Sequence, residues 1–165
     1  MKQKTFRLAI TSMFTAIIFI ATYFLQIPAF TGSINCGDGI ILITSLWLGF
    51  DSILAAALGS AISDILSGYA IYAPATLIIK ALMAFAATWL LRVINKRVLG
   101  RILAFCTAEA IMICGYFLFD MFFYGITGAM FNIGSNSIQA AIAVFLGMLL
   151  SAIQNPLAIY ANRKQ

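Results

Sequence analysis

Asp64, Lys80, Glu109 and Asp120 stand inside otherwise apolar sequence. On insertion into hydrocarbon each would cost about 2.5 to 3.5 kcal/mol unless a partner or a wet cavity receives it. Lys80 is the single cation among them, and an ion pair with Asp64 across the tight Tyr69–Ala75 connection would neutralise both. Lys80 or Asp120 could equally hydrogen-bond a solute, and the two roles are compatible if the pair orients a pocket wall. Asp64, Lys80 and Asp120 lie about seven, five and four residues from the same ends of their apolar runs, so they are expected at similar depth and facing one polar pocket. Glu109 falls nearer the opposite end and is expected to pack internally or face a partner.

Amides supply the second set of polar groups. Asn132, Asn136 and Gln139 follow one another at spacings of four and three, which on a helix turns all three side chains in one direction. With Asn35, Asp38, Tyr69 and Tyr72 they would form a site for a polar, largely neutral ring held by directed hydrogen bonds and stacking. Asn and Ser at helix starts also serve as simple N-caps, and spacing alone leaves both readings open. The aromatic run Tyr116, Phe117, Phe119, Phe122, Phe123 and Tyr124 reads as an interfacial belt, with at most one stacking residue.

Several chemistries are excluded or unsupported. The chain has no histidine, which removes a histidine proton relay or metal site, and no phosphate-binding Gly-rich loop followed by Lys and Ser/Thr, so it does not hydrolyse ATP by itself. Cys36, Cys106 and Cys114 give no disulfide framework and no metal set, and pack as small hydrophobes. No cofactor is expected. A net charge of +5 could suggest nucleic acid, but the basic residues are confined to the ends of apolar runs, which suits anionic headgroups and not a phosphate-tracking groove.

The elements that must position these groups are membrane helices. With 63% hydrophobic and 9% charged residues, the chain could not cover a water-facing surface. Its basic residues cluster as Lys2/Lys4/Arg7, Arg92/Lys96/Arg97/Arg101 and Arg163/Lys164. Cytoplasmic loops collect Lys and Arg, so clusters at the start, middle and end require an even number of crossings between them and place both termini inside. Six apolar segments are expected, at about 6–27, 38–50, 52–71, 75–94, 101–124 and 136–161, in one domain spanning 1–165. The connections 28–37, 72–74 and 125–135 then lie outside. The first segment is too long for a signal h-region and is followed by Pro28, not a small-residue cleavage site, so it reads as a span.

The second segment is short: thirteen residues reach only about 20 Å against a hydrocarbon core of about 30 Å. The irregular connection 28–37 must therefore dip into the membrane, which is tolerated where it caps a protein cavity, and a re-entrant lid is expected there. Small residues recur at three- or four-residue intervals at Ala55/Gly59/Ser63 and Ala143/Gly147/Ser151, where internal helix packing is expected. The row Ala9, Ser12 and Ala16 lies next to a basic cluster and suits contact with another subunit.

Three stretches, Arg-Leu-Ala-Ile-Thr-Ser-Met-Phe-Thr-Ala at 7–16, Ile-Asn-Cys-Gly-Asp at 34–38 and Ser-Asp-Ile-Leu-Ser-Gly-Tyr-Ala-Ile-Tyr-Ala-Pro-Ala-Thr-Leu-Ile-Ile-Lys-Ala-Leu-Met-Ala at 63–84, resemble the substrate-binding S components of energy-coupling factor (ECF) vitamin transporters. The likeness covers essentially the whole chain. It is nearest to the riboflavin-type group, which also includes proteins assigned to hydroxymethylpyrimidine and vitamin B6. The resemblance implies a six-helix membrane protein that captures a vitamin from outside a bacterial plasma membrane, then associates with a transmembrane T subunit and two cytoplasmic ATPase subunits. The family's Ala-x-x-x-Ala contact for the T subunit falls on Ser12 and Ala16, with Ser12 departing from the motif while keeping its small size.

A compact site with amides and few net charges favours a pyridine- or pyrimidine-sized vitamin, hence vitamin B6 or hydroxymethylpyrimidine, with riboflavin as the alternative. From other classes, a lipid-modifying membrane enzyme would use Asp64, Lys80 and Asp120 as acid and base, and an assembly subunit would use its small-residue rows only to dock partners.

Overall fold

The computed structural model describes residues 2–29, 32–94 and 97–153. The expected basic pair Arg163/Lys164, Lys96, the end of the segment expected to reach 161, and Phe30 and Thr31 at the tip of the expected lid lie outside the described residues. Helix α1 covers Lys2–Phe24 and a short antiparallel hairpin follows, β1 (Gln26–Pro28) with β2 (Ser33–Asn35). Helices α2 (Gly37–Leu48) and α3 (Ser52–Leu66) are joined by a single 3-10 turn, Gly49–Asp51, and are followed by α4 (Ala73–Val93) and α5 (Arg97–Leu150). Among the described residues, four stretches are long and apolar enough to cross a membrane, Gln3–Phe24, Gly37–Leu66, Ala73–Val93 and Arg97–Leu150. The outer surface is correspondingly greasy, with Leu8, Phe24, Ile78, Phe122 and Phe145 all exposed. Such a coat belongs in hydrocarbon, and the chain is a multi-pass, all-helical membrane protein apart from its hairpin.

Long-range contacts fix where the helical chain reverses. Ser52 Oγ donates to Ser45 Oγ across the Gly49–Asp51 turn at 3.3 Å, so α2 and α3 run antiparallel. Near the start of α5, Arg101 Nη1 donates to the carbonyl of Ser151, just past its end, at 2.9 Å, although a straight helix between them would hold them about 75 Å apart. The reversal is at Gly125, whose φ of 72° and ψ of 176° interrupt the helix. That conformation is open essentially only to glycine. Two ends of the bundle result. One carries the hairpin, Gln26 Nε2 donating to Ser67 Oγ at 2.9 Å; the other carries Arg92, Arg97 and Arg101, together with the bidentate Arg7–Asp51 pair.

Two expectations are corrected here. The connection placed at 125–135 is helical in all but Gly125, because packing and the Asn132–Asp120 hydrogen bond outweigh the weak helix preference of Gly128, Asn132 and Gly134. The segment expected to begin at 136 thus starts ten residues earlier. At the connection 28–37, expected to be irregular, Gln26–Pro28 and Ser33–Asn35 form a ribbon with Gln26 opposite Asn35 and Ile27 opposite Ile34, and its ladder satisfies backbone groups that would otherwise be left open.

Helix α2 sits in the middle. Ile41, Leu42 and Ile43 are all buried, so it is apolar on every side, as a helix surrounded by others must be. Leu42 packs with Met83, Phe105 and Met112 from α4 and α5, and Ile41 with Phe14, Ile18, Ala55 and Ala84 from α1, α3 and α4. The small-residue rows of α3 and α5 face inward: Ala55, Gly59 and Ser63 are buried, as are Ala143, Gly147 and Ser151. At Gly59 the approach of α1 is so close that a Cβ would lie 2.7 Å from the Thr15 carbonyl oxygen. By contrast Ala9, Ser12 and Ala16 are exposed on the outer face of α1.

Candidate solute-binding site

At the hairpin end the polar groups converge. Tyr72 precedes α4, and Thr76 and Lys80 follow it at intervals of four, making one polar stripe. Tyr116 and Asp120, also four apart, come from the first arm of α5, and Asn132, Asn136 and Gln139 from the second. Asp64 stands in the last turn of α3, Tyr69 in the α3–α4 connection, and Gly32, Ser33 and Asn35 on the hairpin. Together these residues, Lys80 apart, line a void of about 430 Å³ that is partly open to solvent.

Hydrogen bonds hold the wall in place. Asp120, fully buried, accepts from the Tyr72 hydroxyl and from Asn132 Nδ2, each at 2.7 Å. Thr76 Oγ1 and the Tyr116 hydroxyl share a bond of 2.9 Å. Gln139 bridges two layers: its Oε1 accepts from the Asn35 backbone N–H at 2.8 Å, and its Nε2 donates to Asp38 Oδ2 at 2.6 Å. Asn35 Oδ1 in turn accepts from the N–H of Gly37 at 3.0 Å, tying the hairpin to the start of α2.

The ion pair expected between Lys80 and Asp64 is not the one formed. Lys80 Nζ donates to Asp38 Oδ1 at 2.5 Å, with the two side chains 2% and 1% exposed. Charges buried this deeply must be paired directly, and Asp38, in the first turn of the central helix α2, is the carboxylate that packing drives against α4. Asp64 is half-buried at the cavity wall beside Thr76. Asp38 and Lys80, expected among the solute contacts, therefore lie behind the wall, with Lys80 also over the Tyr116 ring, 5.3 Å from its centroid. Glu109 is buried within electrostatic reach of this pair and faces no exterior surface.

Asn35, Tyr69, Tyr72, Asp120, Asn132, Asn136 and Gln139 are brought together around the cavity. Sequence reasoning missed Thr76 and Ser33 and gave Tyr116 only a marginal stacking role. The four-residue interval from Tyr72 to Thr76 to Lys80 would have identified Thr76, whereas nothing local marks Ser33.

A cavity walled by amides, tyrosines and carboxylates is set into a bundle with an apolar coat, the arrangement of a membrane protein with a polar chamber. The family model for the ECF-type riboflavin transporter, S component, matches residues 2–158. The chain belongs to that family, and is thus a vitamin-type substrate-binding subunit of a membrane transporter, a family of transport proteins and not of enzymes. A sequence comparison with curated proteins finds no match.

Proposed function

We propose that the protein captures a single-ring vitamin, vitamin B6 or hydroxymethylpyrimidine, from outside a bacterial cell and delivers it in a complex with a T subunit and two cytoplasmic ATPase subunits. The observation that carries this reading is the cavity itself. Its enclosed space of about 40 Å³ is small against the usual range of about 300–1,000 Å³ for ligand pockets, and a single ring asks far less of it than three fused rings with a polyol chain. Tyr69, Tyr72 and Tyr116 offer faces for stacking, and Asn132, Asn136, Gln139 and Asn35 offer directed donors and acceptors. Asp120 orients Tyr72 and Asn132, and the Asp38–Lys80 pair stiffens the wall from behind.

In this reading the hairpin is the lid, the chain crosses the membrane six times with both termini cytoplasmic, and the exposed Ser12 and Ala16 on α1 meet the T subunit. The reversals at Gly49–Asp51 and Gly125 support that topology. Riboflavin remains the second reading because the family description names it. Isothermal titration of purified protein with vitamin B6 forms, hydroxymethylpyrimidine and riboflavin, without ATP, tests both. Submicromolar binding of a single-ring vitamin is expected. Binding of riboflavin alone would replace the substrate, and binding of none would remove the capture reading.

A further inference from the structure

Resting on the vitamin-capture reading, we propose that Asp64 is a specificity-determining residue that selects a ring carrying a protonated amine over its neutral alcohol counterpart, and that phosphorylated forms are rejected. The cavity lining contains two carboxylates, Asp64 and Asp120, and no Lys or Arg among the described residues. The two carboxylates are not equivalent. Both oxygens of Asp120 accept hydrogen bonds from the protein's own Tyr72 and Asn132, so its charge is already spread over built-in donors. Asp64 makes no direct ion pair among the described residues, because Lys80 pairs with Asp38; it keeps one neutral partner, Thr76, with Lys80 within electrostatic reach.

Two further features deepen the negative potential at Asp64. It lies in the last turn of α3, which ends at Leu66, at the negative end of the helix dipole. The cavity is set among apolar helices, where a carboxylate without a cation is costly and a cationic solute is correspondingly well held. Tyr69, Tyr72 and Tyr116 line the same cavity, with the Tyr72 and Tyr116 ring centroids 6.3 Å apart. Their faces attract an ammonium group as well as a ring. A phosphate ester would meet two carboxylates and no cation.

Pyridoxamine and pyridoxine differ only in an aminomethyl group in place of a hydroxymethyl, and so isolate the charge. Titrated into purified protein, pyridoxamine is expected to bind about ten-fold tighter or more, the scale of one charge-assisted hydrogen bond, and pyridoxamine 5′-phosphate more weakly than either. Asp64→Asn should bring the pyridoxamine-to-pyridoxine ratio close to one, and Asp64→Glu should retain a preference. A wild-type ratio near one overturns the assignment without any variant, so it stands or falls even if Asp64→Asn does not fold. So does an Asp64→Asn protein, folded by thermal melt, that keeps the wild-type ratio. Binding of riboflavin alone overturns the role of Asp64 and leaves vitamin capture standing; binding of no vitamin overturns both.

Discussion

A continuous chain of polar contacts runs from the hairpin to the middle of the bundle: the Asn35 backbone to Gln139, Gln139 to Asp38, and Asp38 to Lys80. Removing either charge of the terminal pair strands the other in a dry interior. Lys80→Met is therefore expected to destabilise the protein by about 3–5 kcal/mol, and the double variant Lys80→Met/Asp38→Asn by clearly less, which thermal unfolding in detergent would show. Equal losses in both would mean the pair is not the source. Gln139→Ala leaves the Asn35 N–H without its acceptor, and should cost about 1–3 kcal/mol of ligand affinity, read as a raised Kd with faster dissociation as the hairpin loosens. The types of these residues were legible in the sequence, since charges and amides in apolar runs need a reason. Their partners were not. Asp64 is sixteen positions from Lys80 and Asp38 forty-two, so proximity along the chain pointed to the wrong carboxylate, and only the central placement of α2 selects the right one.

Among the elements, the short α2 and the second arm of α5 show what hydropathy can and cannot reveal. A helix of twelve residues, too short to span alone, was visible from its length, and so was the need for something to cap it. That the cap is a β-ribbon was hidden, because strands of three residues leave no periodicity to read. The run 125–135 looked like a loop from its glycines and asparagines, yet only Gly125 breaks the helix. Its backbone is the reason. Gly125→Ala forces a side chain into a φ of 72° and should destabilise by about 1–3 kcal/mol. Gly134→Ala, helical and with open space around it, should be neutral or stabilise by about 0.5–1 kcal/mol. Melting temperatures of the two variants separate a glycine required by geometry from one that is merely tolerated, and equal shifts would refute the distinction.

The whole molecule divides its surface between lipid, solute and partner. Helix α1 turns Thr11, Phe14, Ile18 and Thr22 inward and leaves Ser12 and Ala16 exposed, so that small residues sit where a lipid-facing helix would ordinarily carry large ones. That flat strip lets a second helix come close, and close van der Waals packing is what holds helices together once both are already in lipid. The strip lies on α1, away from the cavity-lining side chains of the hairpin, α3, α4 and α5. Ser12→Leu or Ala16→Leu should therefore leave vitamin affinity within about two-fold of wild type, since sites this far apart behave independently, while abolishing co-purification with the T subunit and ATP-driven uptake in reconstituted vesicles. Loss of vitamin binding together with assembly would mean that α1 is strained as a whole and the strip is not a docking face. Retention of both would place the partner elsewhere on the bundle.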